Sequence, residues 1–274
     1  MLKSILLTCI ALLMFSMAAH SENNVSTKLV SNVERAEPGV TIQVGVLFDL
    51  PPRSHIYWRN PGESGLATGV EWSVGDALEV GDLQWPVPKQ FEIEGLDESY
   101  FGYTDQVLLF SRIAIPKSMS DGDTLTIRAK VHWLLCLDDG VCIPEDAELS
   151  LEIPVHAQSR VAWDSSLFLR QRTVWKPMDI PGRFVKVTWK KDSPELIEIT
   201  PAGGLSFANS TESPRFFPGT GGPWIAEISA EKITFRPKYK GEDVSEGILS
   251  LSVEEKSSGK RSLYNLRVSV VESP

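Results

Sequence analysis

The residues of this chain whose types and spacing can do chemistry are Cys136 and Cys142, set in Trp133-Leu134-Leu135-Cys136-Leu137-Asp138-Asp139-Gly140-Val141-Cys142-Ile143-Pro144. Asp138-Asp139-Gly140 is a turn signal in which Gly140 is free to take positive φ. A strand therefore ends at Cys136 and another starts near Cys142. Directly opposed residues of an antiparallel pair lie about 4.5–5.5 Å apart at Cα, and a disulfide needs about 4.4–6.8 Å. The hairpin predicts two sulfurs within bonding distance. Three chemistries are open to them. A bridge at a loop tip is easy for another thiol to reach, which suits thiol–disulfide exchange. A structural bridge is the second reading, although so short a loop gains less than the about 3 kcal/mol of a 15-residue loop. The third is a soft metal ion such as Cu(I), with His132 as a further ligand; His55 is distant in sequence, and a lone histidine near a strand is more often packed or solvated.

Two further stretches stand out. Asp97-Glu98-Ser99-Tyr100-Phe101-Gly102-Tyr103 sets two acids beside three aromatic rings. The plain reading is a strand start with core aromatics. The functional reading is an aromatic cap over a reactive sulfur, with the acids tuning its thiol. His55-Ile56-Tyr57-Trp58-Arg59-Asn60-Pro61-Gly62-Glu63-Ser64-Gly65-Leu66, with Glu71-Trp72 and Gln84-Trp85-Pro86-Val87-Pro88, is dense in tryptophan. Exposed, such rings bind sugars or proline-rich peptides; buried, they fill a core, which is the preferred reading. No Ser-His-Asp order, nucleotide loop or zinc-protease motif is present, so hydrolysis has no support.

The elements that must position these residues are strands. Residues 41–48, 124–131 and 149–153 alternate apolar with polar and are rich in β-branched side chains, separated by turn residues. A second series follows at 184–189, 196–200, 224–229, 232–237, 247–254 and 262–271. Between them, 155–172 is the best helix candidate, with Val161, Leu167 and Leu169 as its apolar contacts. The expectation is an all-β chain of two immunoglobulin-like sandwiches in tandem, over 24–157 and 175–274, each near the about 100 residues such a sandwich needs.

Residues 1–21 read as an export signal: Lys3, an apolar run over 4–17, and small residues at Ala19 and Ser21 before the expected cleavage. The run is shorter than the roughly 20 residues that span a bilayer. Cys9 leaves with it, so the mature chain keeps Cys136 and Cys142 alone. Removing Lys3 takes the net charge from −9 to −10 (26 basic against 36 acidic residues). Nucleic acid and anionic membrane surfaces both call for a basic face, so neither is expected as a partner. The mature chain is expected to be soluble, without membrane insertion, without a cofactor and without a metal site.

Together, Tyr57-Trp58-Arg59-Asn60-Pro61-Gly62, Trp85-Pro86-Val87-Pro88, Gly102-Tyr103 and Trp133-Leu134-Leu135-Cys136 through Cys142-Ile143-Pro144 resemble the amino-terminal periplasmic domain of the DsbD family of thiol–disulfide interchange proteins, in the long version of the ScsB branch. Phe216-Phe217-Pro218 is similar to the second half of that version. The resemblance implies an immunoglobulin-like fold and a Cys-x5-Cys pair at Cys136 and Cys142. It implies electrons accepted from a membrane-embedded thiol reductant and passed to periplasmic disulfide proteins, so that the chain is one component of a protein-disulfide reductase system. It assigns the mixed disulfide to Cys142 and its resolution to Cys136. It also implies an aromatic cap with neighbouring acids, here Asp97, Glu98 and either Tyr100 or Phe101, in a loop one residue longer than the family's. The family's transmembrane carrier and thioredoxin-like domain have no counterpart in this sequence. Copper binding or tolerance through the same thiolates, and a partner-binding sandwich with a structural disulfide, are the alternatives.

Overall fold

The computed structural model describes residues 24–75, 78–93, 95–170, 178–179, 185–190, 196–201, 205–207, 214–229, 231–239, 246–255, 257–259 and 261–269. The expected export signal lies outside them. The strands are β1 (Ser26–Ser31), β2 (Val33–Arg35), β3 (Thr41–Asp49), β4 (Ser54–Gly62), β5 (Gly69–Ser73), β6 (Glu79–Val80), β7 (Lys89–Glu92), β8 (Ser99–Tyr103), β9 (Gln106–Ala114), β10 (Thr124–Leu137), β11 (Cys142–Pro154) and β12 (Arg160–Val161). After the helix α1 (Ser165–Arg170) come β13 (Met178–Asp179), β14 (Val185–Lys190), β15 (Leu196–Pro201), β16 (Leu205–Phe207), β17 (Arg215–Pro218), β18 (Trp224–Ile228), β19 (Ile233–Pro237), β20 (Glu246–Glu255) and β21 (Arg261–Ser269).

Before α1, one sheet runs β1-β3-β9-β6 and another β11-β10-β4-β8-β7, with β5 also on β10. Their inner faces interdigitate, Val46, Phe48 and Leu109 from the first meeting Ile56, Trp58, Phe101, Trp133 and Leu135 from the second. After α1, β13-β21-β20-β16 (with β17 on β20) faces β14-β15-β19-β18 across Phe216, Trp224, Phe235, Leu249 and Leu266. This is the all-β, immunoglobulin-like architecture expected, and among the described residues no sheet mixes strands from the two sides of α1.

The helix departs from expectation. It is six residues long, its buried side chain is Phe168 against the Phe110 ring, and Val161 lies in β12, paired with β2. Val161 and Leu169 are exposed, so only Leu167 of the three expected apolar contacts packs inward. Before Ser165 the apolar residues are too sparse for a continuous stripe, and residues 171–172 of the expected helix lie outside the described residues.

The two sets of sheets meet along the far half of β4. Adjacent residues of β17 divide between the cores: Phe216 packs with Trp224 and Phe235, while Phe217 sits edge-on to Trp58 and Phe101. Asn60 donates to the carbonyls of Pro218 and Gly221, and Arg59 pairs with Glu246 at 2.7 Å.

Candidate functional site

Strand period fixes where the sulfurs point. In β10, Leu125, Ile127, Ala129, Val131, Trp133 and Leu135 are buried in the sandwich, so Cys136 takes the outward phase with Arg128, Lys130 and His132. Cys136 opposes Cys142 in β11, and across the other side of β10 it opposes His55 of β4. His55, Cys136 and Cys142 thus form one row across three strands, on the outer face of the sheet. Leu137 N–H donates to the Val141 carbonyl at 2.9 Å, which makes the next pair a non-hydrogen-bonded one, whose side chains approach most closely. The cysteine Cα atoms are 4.0 Å apart and the sulfurs are bonded. Gly140 turns the chain at φ 87°, and the Asp139 carboxylate accepts from Val141 N–H.

The two sulfurs differ in access. Cys136 is 2% exposed, whereas Cys142, at the first position of the sheet-edge strand β11, is exposed and flanked by exposed Val141 and Ile143. The cover over Cys136 is aromatic. Tyr57, in the outward phase of β4 beside inward Ile56 and Trp58, brings its hydroxyl 3.4 Å from Cys136 Sγ; with that sulfur in a disulfide, the hydroxyl donates. The ring of Tyr57 lies where a side chain at residue 65 would stand: a Cβ on Gly65 would fall 2.2 Å from it. His55, Tyr100 and Phe91 stack at centroid distances of 4.3 Å and 4.9 Å, and Tyr100 Oη and His55 Nδ1 share a hydrogen bond of 3.3 Å.

Burial governs the electrostatics of this cover. Desolvation lowers the His55 pKa to about 4, opposed by the charge of Asp138, so the imidazole is neutral at physiological pH. Its Nε2 is buried without a hydrogen-bond partner. Burial likewise raises Tyr57, against a hydrogen bond from Ser64, and pushes Tyr100 to about 12 with help from Tyr57 and Asp138. Both phenols stay protonated and able to donate.

Of the acids and aromatics expected at a cap, the structure separates the members. Tyr100 stacks on His55, the cross-strand neighbour of Cys136. Phe101 points the other way, fully buried against Trp58 and Phe217. The Asp97 carboxylate is solvent-exposed and faces Lys238 at 3.3 Å, and Glu98 lies on the exposed stretch before β8. The acid whose charge bears on His55 and Tyr100 is Asp138, in the cysteine turn itself. His132 shares the outward face with Cys136 but sits four residues away, about 13 Å along a strand, against Gly69. That is too far for both to bind one ion. Among the described residues no group of three or more His, Cys, Asp or Glu is gathered for a metal. Sequence reasoning missed His55 and Tyr57 as site residues, although their phase against Ile56 and Trp58 was a signal that they face away from the core.

With this geometry in hand, comparison with known proteins is informative. Residues 27–154 match the family described as thiol:disulfide interchange protein DsbD, N-terminal. The N-terminal periplasmic domain of ScsB from Proteus mirabilis superposes with a TM-score of 0.58 at 17% identity, over 93% of this chain and 97% of that one. At that identity the likeness is one of fold. The reduced N-terminal domain of Neisseria meningitidis DsbD is 14% identical over 49% of this chain and 88% of that one, with a TM-score of 0.28. No curated protein matches the sequence. No helix among the described residues is long and apolar enough to cross a membrane.

Proposed function

Residues 27–154 are a DsbD-family amino-terminal domain, and from that premise we propose that the chain is a periplasmic thiol–disulfide exchange protein. It passes electrons through Cys136 and Cys142 to exported disulfide proteins. In the reduced state the Cys142 thiolate attacks a partner disulfide, forming a Cys142–partner bond and releasing one partner thiolate. The Cys136 thiolate then attacks Cys142 Sγ, the second partner sulfur leaves as thiolate, and the Cys136–Cys142 bond forms. Two electrons have moved to the partner, and the chain is left in the bonded state described above. A membrane-embedded thiol reductant reverses the process.

The observation that carries this reading is the unequal access of the two sulfurs. Cys142 is open to another protein, while Cys136 is held 2% exposed beneath Tyr57, next to the bond it must re-form. An attacking and a resolving cysteine need that division. Tyr100 and Tyr57 serve as the cap, shielding Cys136 from stray thiols. The neutral His55 gives Tyr100 its seat.

The test is trapping. Cys136→Ser, purified from the periplasm, should carry partner proteins on Cys142 that dithiothreitol releases. Cys142→Ser should carry none, because its remaining thiol is buried. Equal trapping by both variants, or a reduction potential below about −300 mV, which marks inert structural disulfides, would remove the assignment.

A further inference from the structure

The part of the chain after α1 makes contacts that the exchange chemistry does not explain, and they converge on one point. Glu63, the first residue after β4, has a side chain only 7% exposed. Its carboxylate accepts the Ser99 N–H at 2.7 Å, and its own N–H donates to the Ser99 carbonyl at 3.1 Å. The Ser99 hydroxyl donates to it too, at 3.4 Å, and the remaining ligands come from beyond β19: Lys238 Nζ at 3.2 Å and the Tyr239 hydroxyl. Burial alone would raise the Glu63 pKa; the hydrogen bonds from Tyr239, Ser99 and Lys238 outweigh it and hold the carboxyl below its ordinary value. Lys238 also donates to the Asp97 carbonyl.

Ser99 is the first residue of β8, and Tyr100, the ring stacked on His55 beside Cys136, is the second. A groove of about 740 Å³, lined by Gln90, Leu96, Ser99, Trp224 and Lys238 among others, separates the stretch before Ser99 from the second set of sheets. The stretch therefore has open space behind it, and the bridge from Lys238 and Tyr239 crosses that space. The Asp97 carboxylate is fully exposed, so its ion pair adds little. The buried Glu63 and the Asp97 carbonyl carry the tether, as charge-assisted hydrogen bonds.

We infer that the region after α1 is a positioning element for the exchange site: Lys238 and Tyr239, through Glu63 and Asp97, hold Ser99 and so keep Tyr100 seated on His55, the cross-strand neighbour of Cys136. This rests on the exchange reading for its purpose, but not for its measurement. The rate at which iodoacetamide alkylates the Cys136 thiol in a Cys142→Ser background reports the cover whatever the chain does in the cell.

In that background Lys238→Met should be alkylated about tenfold faster than with Lys238 in place, the equivalent of one charge-assisted hydrogen bond lost from the tether. Tyr239→Phe, which deletes one hydroxyl from a half-exposed residue and leaves the fold intact, should show a smaller rise in the same direction. Glu246→Gln weakens the Arg59 pair, which joins the same two sets of sheets without touching Ser99, and should leave the rate unchanged. Unaltered rates in both Lys238→Met and Tyr239→Phe would overturn the inference. An equal rise in Glu246→Gln would overturn it too, by assigning the effect to general loosening. Failure of Cys136→Ser to trap a partner, with the rate pattern intact, would sink the exchange function and leave the tether standing.

Discussion

Two hairpins of this molecule share a build and differ at the tip. In β10–β11 the ladder ends on Cys136 opposite Cys142, and in β20–β21 its outermost pair is Glu254 opposite Arg261. Each connection has a glycine at positive φ, Gly140 at 87° and Gly259 at 68°. Arg261 Nε and the Glu254 carboxylate are 2.8 Å apart and well solvated, a contact worth little. The second hairpin, with nine ladder pairs against thirteen, closes without a covalent tip. The disulfide of the first is then not explained by closure, and neither is the layer of Tyr57, His55, Tyr100 and Phe91 above it, which has no counterpart reason to exist over a mere staple.

The sharpest way to probe that contrast is acid. His55 is the titratable base beside the cysteine tip, with a folded pKa of about 4 against 6.5 unfolded. Below pH 6.5 the unfolded chain binds a proton that the folded chain refuses until near pH 4. Stability should fall across that window by up to about 3 kcal/mol and level off below it, with nothing lost at neutral pH. His55→Phe should remove this component from the pH dependence of urea unfolding. An unchanged profile would mean that the imidazole is not desolvated in its aromatic stack.

Next in size is the bond itself. Its sequence separation is 6. Reducing so small a loop should cost about 2 kcal/mol of unfolding free energy on the loop-entropy account. A loss above about 4 kcal/mol would make the bridge a staple and end the contrast with the second hairpin. The smallest effect belongs to the other tip: Glu254→Gln should change stability by less than about 1 kcal/mol and leave dithiothreitol reduction of the disulfide untouched.

What the sequence made legible was local. The alternation over 124–131 names the buried face of β10 outright, and Asp138-Asp139-Gly140 places the turn that opposes the two cysteines. Both are decided by neighbours in the chain. The rest of the site depends on residues far apart. Nothing near Cys136 announces that His55, 81 positions earlier, lies beside it, because strand order within a sheet follows from how whole faces pack. The aromatics at 97–103 show the same limit. The resemblance left the cap to either Tyr100 or Phe101; adjacent residues of a strand point to opposite faces, and only the sheet's placement decides which is core. Lys238 was invisible for a plainer reason: a lysine in a polar turn reads as solvated surface until its partner, Glu63, is seen buried in another part of the fold.

One consequence follows from the outward phase of Cys136 and Cys142. Trp133 and Leu135, which fill the sandwich interior, stand on the opposite side of the same strand. Making or breaking the sulfur–sulfur bond therefore leaves the hydrophobic interior as it was. Under the proposed exchange, the domain would be like an electrode on an unyielding support, charged and discharged on its outer face while the interior stays put.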